Sequence, residues 1–134
     1  MNVVIVDDDP NLTRSLEIVL TRQGHKVRTF QDAAEADFFL EQGARVDVLI
    51  LDYMMPEFNG VEIMGRVRDA LPDHCKVILI SGHTDLVDRG SLRKLGIDDF
   101  LPKPLDLHAL SWMVAPQKLS IATAQELRNP VWRR

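Results

Sequence analysis

The chain has a single cysteine, Cys75, so no internal disulfide framework holds it together, and the sequence suits a reducing compartment. Cys75 itself reads as a small, partly buried side chain. Long hydrophobic runs are also missing. No stretch approaches the roughly 20 apolar residues that a membrane-spanning helix needs, and Met1 leads straight into strand-like sequence without a basic and then apolar leader. A cytoplasmic protein with no membrane partner is expected. Positive charge is in short supply as well: 16 Lys and Arg stand against 20 Asp and Glu, a formal net charge of -4. That balance gives no general pull toward nucleic acid. Arg133 and Arg134 are too few to change this, and no helix-turn-helix segment is recognisable. Internal repeats and low-complexity segments are absent.

What is present is apolar residues, 46% of 134, enough to bury the core of one domain. Short apolar runs alternate with helix-period segments, the rhythm of βαβ units carrying a parallel sheet covered on both faces. Strands are expected at 2–6, 26–30, 46–51, 76–81 and 98–101. Helices are expected from Pro10 behind an Asp9 cap, after Asp32 with Glu35 in a capping-box-like pattern, and from about 60 to Leu71. Two more are expected at about 85–95 and 107–114. Gly24, Gly43 and Pro72 are natural stops. Gly90 falls inside the fourth expected helix and weakens it by about 1 kcal/mol relative to alanine. In the fifth helix Leu107, Leu110 and Val114 are expected to face the core, leaving His108 and Trp112 outward.

Right-handed crossovers place all strands parallel, so every strand ends on one edge of the sheet, where open α/β sheets form their sites. Asp7, Asp8 and Asp9 follow the first strand, Asp52 the third, Ser81 the fourth and Lys103 the fifth. Crowding carboxylates there costs energy unless something positive offsets it. A hard dication such as Mg²⁺ takes oxygen ligands of this kind. Asp8 and Asp52 would bind it directly, Asp7 directly or through water, and a backbone carbonyl near Met54 would add another oxygen. Asp9 reads as a helix cap. A carboxylate is also a competent nucleophile toward phosphorus, and phosphoryl transfer needs mainly positioning and charge neutralisation. Asp52, alone at its strand end, is the best nucleophile, with Lys103 and the Ser81 hydroxyl to neutralise phosphoryl oxygens.

The stretches "VDDDP", "LILDYMMPEFNG", "VILISGH" and "DDFLPKP" follow one another on these strand ends. In that order and spacing the sequence resembles the receiver domain of two-component response regulators. The resemblance covers essentially Met1 to Val114, and leaves a receiver domain over 1–115 and a tail or linker over 116–134 with one helical stretch around 119–127. It implies a flavodoxin-like, doubly wound (βα)5 sandwich with a five-stranded parallel sheet in order 2-1-3-4-5. It further implies phosphorylation of Asp52 by the phosphohistidine of a histidine kinase or phosphotransfer protein, Mg²⁺ or Mn²⁺ held by Asp7 and Asp8, and no enzyme activity beyond self-catalysed phosphoryl transfer and autodephosphorylation. Ser81 becomes the switch hydroxyl, Lys103 the phosphate-binding lysine before a cis Pro104, and Phe100 the switch aromatic.

By the same resemblance Met54 and His83 flank the path of the hydrolytic water. An apolar Met54 offers that water no hydrogen bond, which predicts slow self-dephosphorylation, and His83 would oppose this by holding water. Phosphorylation is expected to draw in Ser81 and Lys103 and shift the fourth helix and fifth strand. Together with the fifth helix these form a face for an output partner or a second copy, with His108 and Trp112 as contacts. Two rival readings fit part of the pattern. A metal-dependent aspartyl-phosphate phosphohydrolase would normally carry a second carboxylate where Met54 stands. An interaction module independent of phosphorylation would not need the complete acidic, hydroxyl and lysine set.

Overall fold

The computed structural model describes residues 1–55, 59–82 and 88–114, apart from the Arg89 side chain. Five strands, β1 (Asn2–Val6), β2 (Lys26–Phe30), β3 (Val48–Asp52), β4 (Lys76–Ser81) and β5 (Asp99–Pro102), alternate with helices α1 (Pro10–Arg22), α2 (Ala33–Glu41), α3 (Gly60–Val67), α4 (Arg89–Lys94) and α5 (Leu107–Val114). A short 3₁₀ turn, Arg68–Ala70, extends α3. All strand pairings are parallel and the order is β2-β1-β3-β4-β5. The expected doubly wound sandwich is therefore the architecture found.

The alternating faces of the sheet feed two cores. Val4, Val6, Leu49, Leu51, Val77 and Leu79 pack with residues of α2, α3 and α4. Val3, Ile5, Val48, Ile50, Ile78 and Ile80 pack with Leu16 and Leu20 of α1 and Leu110 and Val114 of α5. A strand buried on both faces must be apolar along its interior, and β1 (Val3–Val6), β3 (Val48–Leu51) and β4 (Val77–Ile80) are, with polar residues only at their ends. Strand β2 lies at the edge of the sheet and alternates exposed and partly buried residues.

Local chemistry sets the helix ends. Asp9 accepts from the N–H groups of Asn11 and Leu12, and Pro10 occupies the first helical position, where its missing donor costs nothing. Asp32 caps α2 by accepting from Ala34; the full two-way box forms instead at Asn59 and Glu62, at the start of α3. Gly24 and Gly43 take φ of +94° and +76° just past the ends of α1 and α2, a region that strongly favours glycine.

Strand β3 starts at Val48, two residues later than expected, and ends at Asp52; three further expectations change. Leu107 is 39% exposed; Leu105, from the loop before α5, packs against the core beside Ala109 and Met113 instead, so the buried stripe begins one turn later than the spacing suggested. Strand β5 runs one residue later than expected, ending at Pro102. Gly90 lies in the first turn of α4, not mid-helix, and its N–H is satisfied by the Asp88 cap at 3.1 Å. The expected helical positions 85–87 lie outside the described residues, as do His83 and the tail 116–134.

Candidate functional site

Parallel strands deliver their C-terminal residues to one edge, and the pairing register fixes their heights. Val6 lies opposite Leu51 and Asp52 opposite Ile80, so Asp7, Asp52 and Ser81 emerge side by side. Ser81 pairs with Pro102, and the Lys103 N–H donates to the Ser81 carbonyl at 2.7 Å, which ties the lysine's main chain to the end of β4. The Lys103–Pro104 peptide bond is cis.

One carboxylate oxygen from each of Asp7, Asp8 and Asp52 lies within 4.8 Å of the others. Asp7, Asp52 and Ser81 are buried, while Asp8 is exposed. Asp7 Oδ1 accepts from the Asp9 N–H at 2.9 Å, and Asp52 Oδ1 accepts from the Met54 N–H at 3.3 Å. The outer oxygens face the Lys103 ammonium, which stands 2.8 Å from Asp7 Oδ2 and 3.4 Å from Asp52 Oδ2. Among the described residues, no other donor reaches Asp7 Oδ2.

One ammonium does not balance three carboxylates, and the titration behaviour shows the residue of that conflict. Burial, followed by the charge of Asp7, pushes the Asp52 carboxyl up to about 6, against the pull of Lys103 and the Met54 N–H. Lys103 is raised: burial alone would lower it, but its bonds to Asp7 and attraction to Asp7 and Asp52 outweigh that. The donor set is all oxygen, carries an excess of about two negative charges if all four groups are ionised, and includes a buried oxygen with only one partner. These features fit a hard dication. Asp7, Asp8 and Asp52 are the residues that would hold it.

The remaining expected residues have mixed placements. Met54, two residues past Asp52, is 50% exposed, and its N–H is the group that reaches the Asp52 carboxylate. Phe100 pairs with Leu79 in the sheet and packs, partly buried, against the α2/α3/α4 core. His108 and Trp112 are exposed on α5, Trp112 at 55%. The sequence pattern did not single out Gly60, whose N–H closes the loop after β3 by donating to the Tyr53 carbonyl at 3.0 Å. Hydrophobic periodicity carries no signal for such a backbone approach.

This fold, with an acidic cluster and a lysine at the C-terminal edge of the sheet, defines a receiver domain: the family model described as response regulator receiver domain matches residues 3–115, and the chain belongs to that family. Receiver domains are phosphorylation-dependent switches of two-component systems that work with histidine kinases or phosphotransfer proteins, and they generally bind Mg²⁺ at an acidic pocket. Among similar proteins, the transcriptional regulatory protein KdpE of Mycobacterium tuberculosis is 32% identical over 131 residues, 96% of this chain and 56% of its own length. The response regulator ArlR of Staphylococcus haemolyticus is 34% identical over 110 residues, 81% of this chain and 48% of its own. This chain thus spans about half the length of these relatives. A response regulator receiver protein from Pseudomonas putida superposes with a TM-score of 0.73 at 29% identity, covering 84% of this chain and 93% of that one. No helix among the described residues is long and apolar enough to cross a membrane.

Proposed function

We propose that this chain is a phosphorylation-activated switch in which Asp52 accepts a phosphoryl group from the phosphohistidine of a histidine kinase or phosphotransfer protein. The observation that carries the reading is the Lys103 ammonium held between Asp7 and Asp52. An Asp52 oxygen attacks phosphorus, the P–N bond to the imidazole breaks, the released ring nitrogen takes up a proton, and an acyl phosphate remains on Asp52. Lys103 pairs with one phosphoryl oxygen as a point charge and the Ser81 hydroxyl donates to another. Asp7, Asp8, Asp52 and the Met54 carbonyl would hold Mg²⁺, or Mn²⁺ in its place. When bound, the dication neutralises carboxylate and phosphoryl oxygens as a Lewis acid.

The new group carries a charge of about -2 and pulls Ser81 and Lys103 toward it. Because Lys103 N–H is bonded to the Ser81 carbonyl, the ends of β4 and β5 move as a unit, and Phe100 repacks behind them. The α4-β5-α5 face then changes what it binds: an output partner, an output domain in a longer chain, or a second copy, through His108 and Trp112. Residues 1–115 form the receiver and 116–134 a tail or linker. The receiver makes no direct nucleic-acid contact and works in the cytoplasm. The apolar Met54, two residues past Asp52, offers a hydrolytic water no hydrogen bond and slows hydrolysis of the acyl phosphate, and His83 tunes it. The phosphohydrolase alternative is disfavoured by the same half-exposed Met54, which stands where that chemistry needs an acid or base.

Beryllofluoride mimics the bound phosphoryl group. With Mg²⁺ it should raise the melting temperature of the wild-type chain and leave that of Asp52→Asn unchanged. An equal rise in both proteins would remove Asp52 from the role.

A further inference from the structure

We propose that Gly60 is a positioning residue for phosphoryl transfer: the bare Cα at the start of α3 sets where the main chain of Asp52, and with it the acceptor carboxylate, can sit. The inference rests on Asp52 being the phosphoacceptor, and adds a second element that determines its place. A Cβ on Gly60 would lie 2.8 Å from the Asp52 carbonyl oxygen, 3.4 Å from the carbonyl carbon and 2.7 Å from Leu79 Cδ1. Real Cβ atoms essentially never approach that closely, so something must shift.

Backbone conformation is not the reason for glycine here. The positive-φ glycines are Gly24, Gly43 and Gly96, and Gly60 is not among them; alanine could adopt its dihedrals. The constraint is contact alone. The two neighbours also differ in how they could give way. Leu79 Cδ1 is the end of a side chain, able to turn if space is found in the core around it. The Asp52 carbonyl belongs to the main chain of β3, the central strand, between β1 and β4. Asp52 lies opposite Ile80, and the next N–H, that of Tyr53, donates to the Ile80 carbonyl at 2.8 Å. Turning Leu79 leaves the carbonyl contact in place, so either α3 retreats or the end of β3 moves. Retreat of α3 is opposed by the Gly60 N–H bond to the Tyr53 carbonyl and by the Asn59–Glu62 box.

The end of β3 carries the carboxylate that must line up with Lys103, already 3.4 Å from Asp52 Oδ2 against 2.8 Å from Asp7. Phosphoryl transfer relies on alignment, and a misplacement of about 1 Å costs on the order of a hundredfold. A displacement of a few tenths of an ångström should cost about tenfold. Gly65, in the same helix, supplies the control, since a Cβ there meets nothing within 4 Å.

The test is the rate of phosphorylation of the full chain by acetyl phosphate with Mg²⁺, measured alongside melting temperature for wild type, Gly65→Ala, Gly60→Ala, Leu79→Val and the Gly60→Ala/Leu79→Val pair. The expected result is a rate about tenfold lower for Gly60→Ala than for Gly65→Ala. Leu79→Val, which removes the Cδ1 contact, should raise the melting temperature of Gly60→Ala without restoring its rate. A wild-type rate in Gly60→Ala, or a rate that recovers together with stability, overturns the proposal. Should Gly60→Ala alone not fold, the paired variant is compared with Leu79→Val: a tenfold gap supports the proposal and equal rates refute it. A wild-type chain that takes up no phosphoryl group would instead overturn the assignment of Asp52 itself.

Discussion

The Lys103 ammonium lies 2.8 Å from Asp7 Oδ2, a buried oxygen that no other donor among the described residues reaches. The pair therefore has a structural role beside the one proposed for it in phosphoryl transfer. Removing one partner of a buried ion pair strands the other, which is costly. Lys103→Met should lower the stability of the metal-free protein by about 2 kcal/mol in urea unfolding, a discounted figure because the lysine is partly exposed. Excess Mg²⁺ should recover part of the loss. An unchanged unfolding midpoint would mean that Asp7 finds another partner.

Asp52 gives the opposite sign. Its folded-state value of about 6 lies above the ordinary carboxylate value of 3.8, through burial and then the Asp7 charge. The folded protein thus disfavours the ionised form, and stability in the absence of metal falls as pH rises through that interval. Asp52→Asn, which cannot ionise, should match wild type near pH 4 and exceed it by up to about 3 kcal/mol above pH 6. Urea midpoints at the two pH values with a chelator present will show it. Since a proton and the cation compete for the same oxygens, the stabilisation conferred by Mg²⁺ should shrink below about pH 6.

At the other end of the sheet, Asp47 ties three segments together. Its Oδ2 accepts from the Asn2 N–H at 2.7 Å and its Oδ1 meets His74 Nε2 at 2.8 Å, while its main chain bonds to Asn2 and Lys76. The Asn2 bond, ahead of His74 and Arg45 and against the effect of burial, holds its carboxyl below the usual range. That stabilisation is present above the unfolded-state value and is lost as pH falls through the lowered folded-state value. Asp47→Ala should cost about 1–2 kcal/mol at neutral pH and leave the phosphorylation rate unaltered. A slowed rate would reveal coupling between the two ends of the sheet.

Arg66 on α3 pairs with Asp37 on α2 at 2.8 Å, and the Asp37 side chain is only 6% exposed. Its other oxygen, Oδ1, has no hydrogen-bond partner among the described residues. Arg66→Ala should therefore lower the melting temperature, by about 1–2 kcal/mol of stability. Asp37→Leu added to it should recover most of the loss, because an apolar side chain needs no partner there. If the second change deepens the loss, Asp37 has a role besides this pair.

Much of this architecture was legible in the residues. Continuous apolar runs identified β1, β3 and β4 because both faces of those strands are covered, and the Asp9–Pro10 pair marked the start of α1 because capping is local chemistry. The convergence of Asp7, Asp52, Ser81 and Lys103 followed from parallel topology. What the pattern hid was tertiary. Asp37 and Thr13 are polar yet buried, since each lies on a helix face turned inward and partner choice leaves no periodic trace. Leu107 fits an apolar stripe but lies outside the packed stretch of α5. Gly60 looked like the end of a loop, and only the distance between two main chains shows why a side chain is unwelcome there.

The central claim is that Asp52 is the residue that carries the phosphoryl group. Acyl phosphates are reduced by borohydride, and an aspartyl phosphate leaves homoserine behind. Sequencing by mass spectrometry after acetyl phosphate, Mg²⁺ and borohydride should find homoserine at position 52 alone, and none when Mg²⁺ is replaced by a chelator. Homoserine at Asp7 or Asp8, or at no position, would contradict the account.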